Sequence, residues 1–145
     1  NISIANIRSL SNRWIIDTKK ETTQASTYKD LLNIKTPSLE QMTKNLSGGN
    51  QQKVVLAKTL ATNSEILIFD EPTRGIDVGA KHEIYNLMVR LASEGKAILM
   101  ITSDMPELLG MSDRILILHE GKISGELQKQ DFTQDRILEL ASGLN

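Results

Sequence analysis

Apolar residues in the second half of this chain follow two alternating patterns. At positions 66–69 they run unbroken as Ile-Leu-Ile-Phe, which predicts a strand covered on both faces. Across residues 81–92, Ile84, Leu87, Met88 and Leu91 recur at i, i+3, i+4 and i+7, the stripe of an amphipathic helix. Residues 97–101 predict a second buried-type strand. Pro106 follows Asp104 where a first-turn proline belongs and opens a short helix to Met111. Residues 114–118 and 122–127 predict strands joined by Glu120-Gly121, a hairpin signal. Thr133 is placed to cap a last helix through Ala141. Strand, helix, strand, helix, strand implies an α/β architecture with a largely parallel sheet, to which the hairpin adds an antiparallel edge.

The first part reads differently. Residues 1–62 predict a helical segment, and residues 63–145 the α/β core with its hairpin and final helix, together one domain. Residues 1–20 have no clean period. Ile2, Ile4, Ile7 and Leu10 can share one face of a short helix, with Trp14, Ile15 and Ile16 following; the expectation is a surface segment packing on parts outside this chain. Residues 22–34 predict a helix with Tyr28, Leu31, Leu32 and Ile34 as its apolar positions, and Pro37-Ser38 breaks it. Residues 50–61 predict another, with Val54, Val55, Leu56 and Leu60 apolar. There is no internal repeat and no low-complexity stretch.

Composition narrows the function classes. A chain of 145 residues, 39% hydrophobic and 24% charged, has the makeup of a globular domain with a core. With 17 basic and 18 acidic residues the net charge is −1, so no global basic field favours nucleic acid or an anionic membrane. Cysteine is absent, which excludes disulfides and thiolate metal sites. No apolar run is long enough to span a bilayer, and the start carries no signal-peptide pattern. The chain opens at Asn1 without a methionine, and the expectation is a piece of a longer polypeptide.

The chemistry concentrates at two places. Leu46-Ser47-Gly48-Gly49-Asn50-Gln51-Gln52-Lys53 puts a serine and two glycines at a helix start. Glycines bring backbone close to a ligand, and helix-start N–H groups attract anions, above all phosphate. Ser47 can donate to a phosphate oxygen or cap the helix. Downstream, Ile66-Leu67-Ile68-Phe69 runs into Asp70-Glu71-Pro72. A carboxylate at a strand's carboxyl end suits a water-mediated Mg²⁺, and a second beside it suits polarising a water. Together a phosphate cradle and a carboxylate pair point to a nucleotide. In Arg74-Gly75-Ile76-Asp77-Val78-Gly79, Asp77 is placed to cap the helix over 81–92, with a role as an interface loop open beside it. Ser103 ends the 97–101 strand. His82 and His119 read as structural, the second in a hairpin turn; Lys53 and Lys58 read as solvated and Met88, Met100 and Met111 as packing residues. A Gly-x-x-x-x-Gly-Lys-Ser/Thr loop is nowhere in the sequence.

In order, these motifs resemble the ATPases of ABC transporters. Residues 46–53 resemble their signature motif, residues 66–71 their Walker B strand with its glutamate, residues 75–77 their D-loop, and residues 101–104 the switch-histidine loop, with Ser103 in place of the histidine. Asn50, residues 72–81 and residues 105–115 are similar to the second cassette of bacterial monosaccharide importers, which fuse two cassettes in one polypeptide. Residues 4–8, 34–37 and 133–142 look most like the galactose/methyl galactoside import ATPases, with ribose and xylose relatives close by.

That resemblance implies a partial P-loop NTPase fold with ATP and Mg²⁺ as ligands. It implies that Ser47, Gly48, Gly49, Asn50, Gln51 and Asp77 serve ATP binding. Asp70 would hold Mg²⁺ through water, and Glu71 would be the catalytic carboxylate of a degenerate site with Ser103 at its switch position. Cassettes of this family pair head to tail, so the signature would face an ATP held by the first cassette of the same polypeptide. The implied partners are that cassette, a transmembrane permease and, indirectly, a periplasmic sugar-binding protein, at the cytoplasmic face of the bacterial inner membrane. No nucleic acid is implied. The whole protein would be a sugar-transporting ATPase; this chain alone, lacking the Walker A loop, is expected to be inactive. The competing class is a soluble ABC-type ATPase acting on nucleic acid or ribosomes, which would bring coiled-coil arms or basic patches that this sequence lacks.

Overall fold

A computed structural model describes residues 1–12 and 15–143; Trp14 lies outside the described residues. The chain forms two compact units, residues 1–101 and residues 102–145.

The first unit begins with a 3-10 turn at Ile2–Asn6, followed by strands β1 (Ser11–Asn12) and β2 (Ile15–Ile16), which pair antiparallel. The expected short helix through Leu10 does not form. The segment packs in part on helices of this chain: Ser3 and Leu10 are buried, while Ile4, Ile7, Ile15 and Ile16 are exposed, and the Ser3 hydroxyl donates to Glu21 at 2.5 Å. Helix α1 spans Thr18–Leu31 and starts four residues before the sequence pattern predicts. Asp17 accepts from the Lys19 and Lys20 N–H groups at its N-terminus, so the cap rather than the apolar period sets the start. Leu32 and Ile34 are buried but lie beyond the helix. The Tyr28 hydroxyl donates to the Leu60 carbonyl, and burial pushes its phenol up.

Helix α2 (Gly48–Leu60) buries Val54, Leu56, Ala57 and Leu60. Val55, one of the apolar positions, is 52% exposed, and Lys53, expected in solvent, is 7% exposed. Strand β3 (Ile66–Asp70) pairs in parallel with β4 (Ala97–Ile101), Ile66 opposite Ala97 and Asp70 opposite Ile101. Between them helix α3 (Val78–Ser93) buries Ile84, Leu87, Met88 and Leu91, the predicted stripe. The expectation of a strand covered on both faces fails. Leu67 and Phe69 are buried, but Ile66 and Ile68 are 66% and 58% exposed. Among the described residues of this unit, the helical covering, with α3 against β4, is on one face of the strand pair.

The second unit holds α4 (Met105–Met111), β5 (Arg114–His119), β6 (Lys122–Gln128) and α5 (Gln134–Ser142). Asp104 caps α4, which makes Met105 its first residue and places Pro106 second rather than first. Strands β5 and β6 form the hairpin with Glu120 and Gly121 at φ 46° and 76°, the left-handed pair that a two-residue primed turn requires. Its register shifts between Ile117 and Leu118. The hairpin is a two-stranded sheet of its own, and among the described residues the parallel content is the β3/β4 pair. Ile115, Ile117, Leu127, Ile137 and Leu140 form this unit's core. Thr133 caps α5 as predicted, accepting from the Arg136 N–H at 3.2 Å. His119 ends β5 rather than sitting in the turn, and its Nδ1 donates to the Ala141 carbonyl at 2.8 Å.

Candidate functional site

The N-terminus of α2 abuts the loop that leads into α3. A Cβ on Gly49 would meet the Ala80 Cβ at 3.3 Å and Asp77 Oδ2 at 4.0 Å, and one on Gly48 would meet the Gly75 carbonyl oxygen at 3.6 Å. Glycine is a poor helix residue. At Gly49 a side chain would crowd Ala80 in the first turn of α3, whereas at Gly48 it would make an ordinary contact.

The two helix starts are finished differently. Asp77 Oδ1 accepts from the Ala80 N–H at 2.9 Å, the predicted cap. Ser47 stands at the corresponding position of α2 and makes no side-chain cap bond, so the capping alternative does not hold. Its hydroxyl oxygen accepts from Asn50 Nδ2 at 2.8 Å. A hydroxyl that accepts still carries a proton to give. The first-turn N–H groups of Gly48, Gly49 and Asn50 precede the first intrahelical bond, which runs from Gln51 N–H to the Ser47 carbonyl at 2.9 Å. The Gln51 side chain turns back and donates to the Leu46 carbonyl at 2.8 Å. Ser47, Gly48, Gly49, Asn50, Gln51 and Asp77 are thus brought together, with Ser47 and Gly48 exposed.

Asp70 and Glu71 lie at the carboxyl end of β3. Asp70 is exposed. Glu71 has φ 46°, and its N–H donates to the Ile101 carbonyl at 2.8 Å. Left-handed backbone at a glutamate is strained and held in place by its surroundings; no sequence signal announces it. Pro72 and Thr73 behind it are buried. In the second unit Ser103 is exposed in a short, tied loop. Thr102 Oγ1 donates to the buried Glu107 and accepts from the Asp104 N–H at 3.1 Å, while Asp104 Oδ1 accepts from the Glu107 N–H at 3.1 Å.

Sequence reasoning missed Lys53. Its ammonium pairs with Glu83 of α3 and donates to the Asn33 carbonyl at 3.3 Å. A lysine flanked by apolar helix positions gives no hint that a carboxylate thirty residues on will cover it.

Chemically, the α2 start offers backbone N–H groups and a hydroxyl, donors suited to an anion such as a phosphate. Among the described residues no three His, Cys, Asp or Glu side chains cluster as metal ligands. A lone exposed carboxylate at a strand end fits Mg²⁺ held mostly by its own waters. Also among the described residues, no helix is long and apolar enough to cross a membrane.

Residues 3–74 match the ABC transporter family. The chain is 53% identical, over 146 aligned positions, to the ribose import ATP-binding protein of Clostridium perfringens, covering 100% of this chain and 29% of that protein. It is 51% identical to a protein of Halalkalibacterium halodurans named for ribose, galactose and methyl galactoside import, covering 99% of this chain and 27% of that one. The chain therefore spans less than a third of the length of these relatives. Among solved structures, a metal-chelate type ABC transporter in an inward-facing conformation superposes with a TM-score of 0.80 at 18% identity, over 99% of this chain and 56% of that one. A dimeric ATP-binding cassette bound to ADP and Pi superposes at 0.72 and 24% identity, over 83% of this chain and 52% of that one. The chain has an ABC-type ATPase fold and belongs to the ATPases of ABC transporters.

Proposed function

We propose that this chain belongs to the ATP-hydrolysing, energy-coupling subunit of a bacterial monosaccharide importer and that it presents the signature motif to an ATP held by a partner cassette. The observation that carries this reading is the α2 start: Ser47 makes no cap bond there, and Gly48 and Gly49 lie against the loop through Asp77. ATP supplies a terminal phosphate and the energy of its hydrolysis. Ser47 donates its hydroxyl to that phosphate, Gly48 and Gly49 present backbone N–H groups, and Gln51 braces the turn by holding the Leu46 carbonyl. Asp77 holds the start of α3 against them. Asp70 would orient a water-clad Mg²⁺ and Glu71 would act on a water, and Ser103 stands at the family's switch position in the sequence.

The sugar is a monosaccharide. The sequence leans to galactose or methyl galactoside, while the names of the relatives favour ribose. The partners in this reading are the first cassette of the same polypeptide, a permease and a periplasmic binding protein, at the cytoplasmic membrane face.

The test is sugar uptake by the full-length protein with its permease. Ser47→Arg is expected to abolish uptake, and Glu71→Gln to reduce it less. Equal or reversed losses would refute the division of roles. The chain by itself is expected to show no ATP turnover; turnover abolished by Glu71→Gln would refute that. Tight filter binding of nucleic acid at low salt would favour the soluble nucleic-acid class instead.

A further inference from the structure

We infer that Asn50 is a positioning residue: its amide, fixed by the backbone of Lys35, aims the Ser47 hydroxyl at the phosphate. The inference rests on the proposed role of Ser47. Asn50 Oδ1 accepts from the Lys35 N–H at 2.8 Å, and Asn50 Nδ2 donates to Ser47 Oγ at 2.8 Å. A backbone N–H only donates, so Oδ1 is the atom that faces Lys35 and the amide has one orientation. Ser47 Oγ then faces an N–H donor and accepts, and its own proton turns outward to an acceptor. A serine with no such neighbour could spend that proton on a nearby carbonyl.

The anchor is itself fixed. Residues 33–35 leave α1 with Asn33 at φ 49°, the Ile34 N–H donates to the Lys29 carbonyl at 2.8 Å, and Lys53 of α2 holds the Asn33 carbonyl. Two side chains of α2, one turn apart, therefore grip the same three-residue exit from α1. This assigns Asn50 a different task from direct nucleotide contact. Its Oδ1 and one of its two Nδ2 hydrogens are engaged with protein.

The experiment measures ATP turnover of the full-length protein, with thermal midpoints recorded for each variant. Ser47→Ala is expected to lower turnover about 10- to 100-fold, the factor for a lost hydrogen bond to a charged group. Asn50→Ala is expected to fall within that range. In the Ser47→Ala background, Asn50→Ala should lower turnover by no more than about a further twofold, the usual margin for a step already removed. Asn50→Asp keeps the acceptor for Lys35 but offers Ser47 a second acceptor, so the hydroxyl turns inward; it should retain the parent midpoint and lose turnover as Ser47→Ala does. Multiplied losses in the double variant would mean that Asn50 acts on the nucleotide itself, and an active Asn50→Asp would mean that only the Lys35 bond matters; either overturns the inference. Full turnover in Ser47→Ala would instead overturn the proposed function on which it rests.

Discussion

Helices α2 and α3 start against each other and are built for opposite ends. Helix α3 follows local rules: a capping Asp77 and an apolar stripe at regular spacing turned inward. Helix α2 breaks them. It opens on two glycines, its cap residue bonds a side chain instead of the helix, and a lysine sits among its core positions. A helix that departs from its own preferred chemistry needs other contacts to hold it. For α2 these are the Lys53–Glu83 pair, the Asn33–Lys35 exit and the loop under Gly48 and Gly49. The contrast separates a helix that supports from a helix that presents.

The largest effect should come from the supporting helix. Ile84→Ala removes a nearly fully buried side chain and should lower stability by about 2–5 kcal/mol in denaturant unfolding. A loss under 1 kcal/mol would mean that α3 is not the support. Next, Glu83→Ala leaves the Lys53 ammonium buried with only a carbonyl and should destabilise by about 1–3 kcal/mol. Lys53→Met fills the same space without a charge and should destabilise less, since apolar replacement of a buried pair is often near neutral. The reverse order would make the pair, not its burial, the source of stability.

The two helix starts then give the sharpest separation. Asp77→Ala should lower stability by about 1 kcal/mol through the lost cap. Ser47→Ala should leave the unfolding midpoint unchanged and lower only the ATP turnover of the full-length protein. Equal stability losses would erase the distinction drawn here. The smallest effect belongs to Val55→Ala, within about 0.5 kcal/mol because the side chain faces solvent; a core-sized loss would show that the surface of α2 is covered in the assembled protein.

Much of the candidate site was legible in the chain itself. The Ser-Gly-Gly element, the Asp70-Glu71 pair and the loop through Asp77 are contiguous stretches whose chemistry is carried by spacing. The same holds for the α3 stripe, the caps at Asp77 and Thr133, and the Glu120-Gly121 turn, because each depends on neighbours within one or two helical turns. The boundary of α1 was misjudged because its exposed first turn has no apolar signal, only Asp17. Strand β3 read as buried on both sides because an unbroken apolar run says what a strand prefers and not what lies over it.

What only the tertiary structure decided depends on partners far away in sequence. The burial of Lys53 was set by Glu83, the orientation of Asn50 by the backbone of Lys35, the left-handed Glu71 by its place beside Ile101, and the need for Gly49 by the approach of Ala80. The sequence by itself determined the local elements, the family motifs and the type of ligand chemistry. It did so because backbone propensity, capping and periodicity act over a few residues. Which hydroxyl has a proton to give, and which charge is taken out of water, followed from contacts between segments that meet only when the chain is folded.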